Sequence, residues 1–106
     1  MMDLEDIKVA NVADMTNYVQ DHPDVGTHVS KLAAYFEGIG VLISRGLFSL
    51  DLVEDLMGNT VIEFWDKFGH LYKEIQQQIH PSHANQVEAL YHAIVNFRQQ
   101  RETSSV

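Results

Sequence analysis

Apolar residues recur every three or four positions through most of this chain, and this spacing limits the fold more than any other feature of the sequence. Its longest example comprises Val61, Trp65, Phe68, Leu71, Tyr72, Ile75 and Ile79. One face of an α-helix repeats with this period, whereas a half-buried strand alternates every second residue. The sequence therefore predicts an all-α fold, and no segment shows the alternation of a strand.

Breaks in the pattern divide the chain into about five predicted helices. They run from Asp3 to Gln20, from Asp24 to Arg45, from Leu50 to Met57, from the Gly58-Asn59 pair to Ile79, and from the His80-Pro81-Ser82 break to Arg101. Ser49 and Ser82 are predicted to cap the helices that follow them, and Gly46 to end the second. Short connections favour antiparallel neighbours, which predicts a compact up-and-down bundle. The helix from Leu50 to Met57 is expected to form a corner, anchored by Leu52, Val53 and Leu56.

The chain length indicates one domain spanning residues 1–106, with residues 103–106 as a frayed tail. Fifteen acidic and seven basic residues give a formal charge of -8, which disfavours binding to a phosphate backbone. The longest apolar run, from Gly38 to Ile43, is too short to cross a bilayer, so no membrane insertion is expected. The absence of cysteine fits the reducing cytoplasm, which is the expected compartment.

No group of residues has the pattern of a catalytic site, so we expect no enzymatic activity. Ser49 and Ser82 have the positions of helix caps, and the neighbouring carboxylates Glu54 and Asp55 point in different directions on a helix. No cofactor is expected.

Histidines and carboxylates leave a metal or small-ligand site open as the alternative function of a helical bundle. Imidazole and carboxylate are the ligands that zinc, iron and manganese use. The candidate ligands are Asp66, His70, His80, His83, Glu88 and His92. Asp66 with His70, and Glu88 with His92, are four residues apart on a helix, but the Glu-x-x-His pairs of di-iron bundles are absent. Local salt bridges on the helix surface are the favoured explanation of such pairs.

Apolar residues on the central helix extend beyond a single stripe, which favours a role in binding another protein. Tyr35 and Leu42 lie off the stripe formed by Phe36, Ile39 and their neighbours, and they widen the apolar surface. We therefore expect a non-catalytic interaction or scaffold module whose partner is another protein or a second copy of the chain. The residues chosen for this interface are Tyr35, Leu42, Trp65 and Phe68.

The segment Tyr35-Phe36-Glu37-Gly38-Ile39-Gly40-Val41-Leu42 is followed by Gly46-Leu47, Asp51-Leu52-Val53, Gly58 and Trp65. This pattern, over Val29 to Tyr72, resembles an uncharacterised prokaryotic all-helical family known as a domain of unknown function. The resemblance implies the helical fold and transfers no functional residue. Family members often follow a membrane-spanning segment, and this sequence departs from them because it contains none.

Overall fold

The structure is a computed structural model that describes residues 7–104. Its helices are α1 (Val12–Asp21), α2 (Pro23–Ser44), α3 (Leu50–Gln78) and α4 (Asn85–Ser104). The described part of the chain contains no strand, so the predicted all-α class is confirmed. The expected number of five helices was too high by one, because two predicted helices are joined in α3.

Helix α1 begins nine residues later than the prediction. The side chain of Asn11 accepts a hydrogen bond from the backbone N–H of Asp14 at 2.8 Å and caps the helix. Ile7 lies before this cap, outside any helix, and is nevertheless fully buried. The apolar spacing before α1 therefore reflects the burial of Ile7 in a non-helical segment and not an extra helical turn. We call this segment, residues 7–11, the strap. The predicted start, Asp3 to Asp6, lies outside the described residues.

Helix α2 has the predicted boundaries to within a residue at each end. Pro23 occupies its first turn, where the missing N–H of proline removes no hydrogen bond. At the other end Gly46 has a φ of 74°, and its N–H donates to the carbonyl of Ile43. The N–H of Leu47 donates to the carbonyl of Leu42 at 2.9 Å. These bonds close the last turn of the helix, and glycine adopts the required left-handed conformation without steric cost.

The predicted corner helix is the first part of α3 rather than a separate element. Ser49 does cap it, since its side chain accepts from the N–H of Leu52 at 3.1 Å. The interruption expected at Gly58-Asn59 is only a kink, where Met57 has a φ of -148° and a ψ of 15°. Helical hydrogen bonding resumes beyond it and continues to Gln78.

The connection from α3 to α4 differs from the prediction in its cap. Ser82 does not cap α4, because its hydroxyl lies 3.0 Å from Nδ1 of His80. Ala84 precedes the helix with a φ of 58°, and its carbonyl accepts from the N–H of Glu88. Ile79, which was expected to face inward, is 74% exposed because it follows the last helical residue of α3. At the C-terminus α4 includes Thr103 and Ser104, which the prediction had placed in the frayed tail; Ser105 and Val106 lie outside the described residues.

The core consists of apolar side chains from α2, α3 and α4. Phe36 of α2 contacts Phe64 of α3 edge to face at a centroid distance of 5.4 Å, and Phe64 lies 5.4 Å from Phe68. Each such buried ring contributes about 1.5–3 kcal/mol to stability. The buried set is Ile7, Val25, Val29, Phe36, Ile39, Val53, Val61, Phe64, Trp65, Phe68, Leu71, Ala84, Val87, Leu90 and Ile94.

Helices α3 and α4 run antiparallel, because Glu54 contacts Arg98 at one end of the pair and Lys73 contacts Glu88 at the other. Helix α4 also packs closely on α2. A Cβ atom at Gly40 would lie only 2.8 Å from the backbone oxygen of Gln86, so only glycine fits this contact without a shift of the backbone.

Candidate functional site

Four large apolar side chains lie exposed at the end of the molecule where α2 meets α3. Leu47 and Phe48 are 67% and 40% exposed in the turn, and Leu52 and Leu56 are 49% and 70% exposed on the first two turns of α3. We call these four residues the apolar end surface. Single exposed apolar residues are common on proteins, but four within ten positions of the sequence are typical of an interaction site.

The exposure of Leu52 and Leu56 corrects the prediction that they anchor this segment with Val53. Of the three residues predicted to anchor the segment, Val53 alone is buried. Its neighbour Glu54 is also buried, although it carries a carboxylate. Residues 53 and 54 therefore define the inner face of this part of α3. Leu52 and Leu56 are four residues apart and share the outer face, one turn above the other.

An ion-pair cluster holds the buried Glu54 on the inner face. Its Oε1 accepts from Nε of Arg98 at 2.7 Å, and a terminal guanidinium nitrogen of Arg98 lies 2.6 Å from the same oxygen. The other carboxylate oxygen is 3.2 Å from Arg101. Arg98 also donates to the side-chain oxygen of Asn59 at 2.8 Å. An unpaired buried carboxylate is costly, so this cluster fixes the rotation of the segment about its axis and keeps the leucines outside.

Charged side chains of both signs surround the apolar end surface. Arg45 follows the last residue of α2, and Asp51 and Asp55 lie one turn apart at the start of α3; all three are exposed. Within the described residues none of the three forms an ion pair. The surface therefore combines an apolar centre with unpaired charges at its edge, which is the usual composition of a protein–protein interface.

The residues predicted to form an interface lie in two different environments. Tyr35 is 55% exposed on α2, and Leu42 is half-buried beneath the turn, where its carbonyl accepts from the N–H groups of Leu47 and Phe48. Trp65 and Phe68 are buried in the core. The Trp65 ring stacks on Tyr72 at a centroid distance of 6.0 Å, and it lies so close to Gly69 that a Cβ there would be 2.7 Å away. Leu42 is thus the predicted residue that adjoins the apolar end surface.

The first two metal-ligand candidates have separate partners. Asp66 accepts a hydrogen bond from the hydroxyl of Tyr91 at 3.3 Å. Burial, together with the negative charge of Asp66 and this hydrogen bond, raises the pKa of Tyr91 above its ordinary value. Nε2 of His70 donates to the carbonyl of Val9 at 2.9 Å, which ties the strap before α1 to α3. These contacts give both side chains structural roles.

The other four candidate metal ligands also have partners of their own. His80 contacts Ser82, and the ring of His83 stacks on Tyr72 at 5.6 Å. Glu88 pairs with Lys73 and lies 3.7 Å from His92. Burial acts to raise the pKa of Glu88, but hydrogen bonds from Lys73 and Gln76, and the positive charges of Lys73 and His92, lower it below the ordinary value. No three of the His, Asp and Glu side chains in residues 7–104 converge on a point where a metal ion would bind.

A groove of about 900 Å³ lies between α1, α2 and α3. Val12, Met15 and Val19 of α1 form one wall, and Leu71 and Tyr72 of α3 lie opposite. Burial raises the pKa of Tyr72 from its ordinary value of 10 to about 12, so its hydroxyl stays protonated even at alkaline pH. The groove has the size of a small-molecule site, which is commonly about 300–1,000 Å³.

The model of DUF4760, a domain of unknown function, matches residues 4–94, which is most of the chain. The chain belongs to this family. The resemblance inferred from the segment between Val29 and Tyr72 is therefore confirmed and extends over α1, α2, α3 and the first half of α4. No curated protein and no solved structure matches the sequence. None of the described helices combines the length and apolarity needed to span a membrane.

Family membership assigns no functional residue, so the candidate sites rest on the geometry alone. Sequence reasoning missed the apolar end surface because leucines at helical spacing usually face the core. The outward orientation of these leucines follows from the burial of Glu54, which pairs with arginines more than forty residues away. A carboxylate buried by partners so distant in sequence cannot be recognised from the helix itself.

Proposed function

We propose that this domain is a non-catalytic protein–protein interaction module that self-associates through its apolar end surface. The observation that carries the proposal is the outward orientation of Leu52 and Leu56, next to the exposed Leu47 and Phe48. Burial of such side chains at a protein contact stabilises the complex because apolar surface leaves water. We keep the cytoplasm as the proposed compartment, in line with the cysteine-free sequence.

The charges around the surface favour a second copy as the partner. A two-fold symmetric interface requires a patch that complements itself. Arg45, Asp51 and Asp55, all exposed and close in sequence to the four apolar residues, provide opposite charges in one short stretch of the chain. In a two-fold arrangement Arg45 of each copy faces the aspartates of the other, while the leucines meet in the centre. Leu42, which adjoins the turn, extends the same contact.

Light scattering over a concentration series tests the proposal directly. The unmodified domain is expected to form a dimer as concentration rises. Leu52→Glu combined with Leu56→Glu should leave a monomer, because four carboxylates would have to be buried at the two-fold contact. Ile79→Glu is the matched control: Ile79 is equally exposed but lies roughly 35 Å farther along α3 than Leu56, given 1.5 Å per residue.

Exchange of the charged residues distinguishes a specific two-fold contact from nonspecific association through the apolar residues. Arg45→Asp and Asp55→Arg should each weaken the dimer, and the two changes combined in one chain should restore it. A monomer at every concentration would overturn self-association. A dimer that persists in the double leucine variant would place the interface elsewhere, and Tyr35→Ser would then test the predicted surface on α2.

A further inference from the structure

The groove between α1, α2 and α3 is a second feature of the molecule that self-association does not explain. Helix α1 has three apolar residues at helical spacing, Val12, Met15 and Val19, yet none of its residues is fully buried. All three line the groove. Val12 and Met15 pack against the core with part of their surface, and the remainder of the apolar face of α1 borders the groove.

Contacts at both ends of α1 hold it beside this space. At its start, the N–H of Val12 donates to a carboxylate oxygen of Glu74 on α3 at 2.9 Å. Near its end, Val19 packs directly on the backbone of Gly26, where a Cβ would lie 2.6 Å from the valine methyl. Helix α1 thus rests on α3 at one end and on α2 at the other, with the groove between these supports.

The charges of the groove differ from those of the whole protein. No aspartate or glutamate is among its described lining residues, although the chain has a net charge of -8. The basic groups that line it are Lys31 and His83, and Lys31 forms no ion pair with the described residues. Tyr72 adds a hydroxyl that remains protonated at neutral pH. Through the described residues that line it, the groove therefore offers apolar walls, one cation without an ion pair and hydrogen-bond donors.

We propose that this groove binds an amphiphile of the fatty-acid class, with its alkyl chain along Val12, Met15, Leu71 and Ile75 and its carboxylate near Lys31. The alkyl chain buries the apolar face of α1. The carboxylate meets no aspartate or glutamate among the described residues that line the groove. The proposal does not depend on dimerisation, because the groove and the apolar end surface share no residue.

Ligands with the same alkyl chain and different head groups test both parts of the proposal. Decanoate, decan-1-ol and decyltrimethylammonium are titrated into the full chain, with affinity measured by calorimetry and stability by thermal unfolding. Decanoate is expected to bind with one molecule per chain and to raise the unfolding temperature with concentration, since it binds only the folded state. Decan-1-ol should bind more weakly, and the cationic ligand most weakly of the three.

Two pairs of variants locate the ligand. Lys31→Glu should weaken decanoate binding about tenfold, because charge reversal replaces an attraction with a repulsion of similar size. Lys8→Glu makes the same change of charge outside the groove and should leave affinity unchanged. Met15→Trp should fill the groove and abolish binding; Ala34→Trp, at an exposed lining position, does so without disturbing the core.

Three results would overturn the proposal. One is the absence of saturable decanoate binding. Another is equal binding of the ligands with all three head groups, or an equal loss of affinity in Lys31→Glu and Lys8→Glu. Either result would show that Lys31 does not bind the carboxylate. The third is binding that survives both tryptophan variants but disappears in the Leu52→Glu and Leu56→Glu variant, because the ligand would then lie on the apolar end surface.

Discussion

Replacing each of two glycines of α2 by alanine should change stability in opposite directions, although the glycines are two residues apart. A Cβ at Gly38 would meet no atom within 4 Å, whereas a Cβ at Gly40 would lie 2.8 Å from the backbone oxygen and 3.0 Å from Cβ of Gln86. Alanine in a helix is more favourable than glycine by about 1 kcal/mol. Gly38→Ala should therefore stabilise the protein by roughly that amount.

At Gly40 the same gain is opposed by a collision with the backbone of α4. The backbone cannot rotate away as a flexible side chain would, so α2 and α4 must separate. Separation would also stretch the 2.7 Å hydrogen bond from the N–H of Val87 to Oε1 of Glu37. Overpacking of this kind costs about 1–3 kcal/mol. After subtraction of the helix gain, Gly40→Ala should destabilise the protein by about 1 kcal/mol.

Urea unfolding followed by the fluorescence of Trp65, the single tryptophan, measures both changes. Thermal unfolding should show midpoints displaced in opposite directions, by about 4–8 °C for each kcal/mol in a domain of this size. If Gly40→Ala stabilises the protein as much as Gly38→Ala, the two helices do not approach each other at this point. The packing of α4 described above would then be wrong.

Two further predictions concern charged side chains. Arg98→Met should destabilise the protein by about 2–3 kcal/mol in urea unfolding, because it leaves the buried Glu54 with one weaker partner, and Glu54→Leu in the same chain should restore most of the loss. Lys8→Met, at an exposed lysine that forms no ion pair with the described residues, should change stability by less than about 0.5 kcal/mol; an equal loss in both single variants would contradict the pairing of the buried Glu54. The pKa of Glu88 is lower in the folded protein than its ordinary value of 4.5, so the stability it contributes is present above that pH and is lost as pH falls through the folded pKa. The difference in unfolding free energy between the unmodified protein and Glu88→Gln should therefore shrink between about pH 6 and pH 3, and a constant difference would refute the assignment.

Helix periodicity predicted α2 and most of α3 well because their apolar faces pack against the core along nearly their whole length. It failed at the start of α1, where Ile7 is buried outside a helix and still fits the spacing. It also failed to show that Met57 is a kink within one element. The predicted end of the short helix at Met57 does coincide with the position where the backbone leaves helical geometry, but the two segments form one element across this kink.

The candidate sites were less predictable than the fold because they depend on which face of each helix finds a neighbour. Leu52 and Leu56 have the same sequence pattern as core leucines, and their exposure follows from the pairing of Glu54 with Arg98 and Arg101. The groove depends on where α1 rests. Neither contact has a local sequence signature.

The position of the aromatic core explains why both proposed sites lie near the ends of the α2–α3 pair. Phe36, Phe64, Phe68 and the Trp65 ring fill the middle of the bundle. The apolar end surface lies at the start of α3, whereas the groove lies against Leu71 and Ile75 near the C-terminal end of the same helix. Ile75 is roughly 30 Å along α3 from Leu56. Substitutions at one site therefore leave the contacts of the other intact, and effects of distant mutations usually add. Dimerisation and ligand binding can consequently be removed one at a time in the same folded protein.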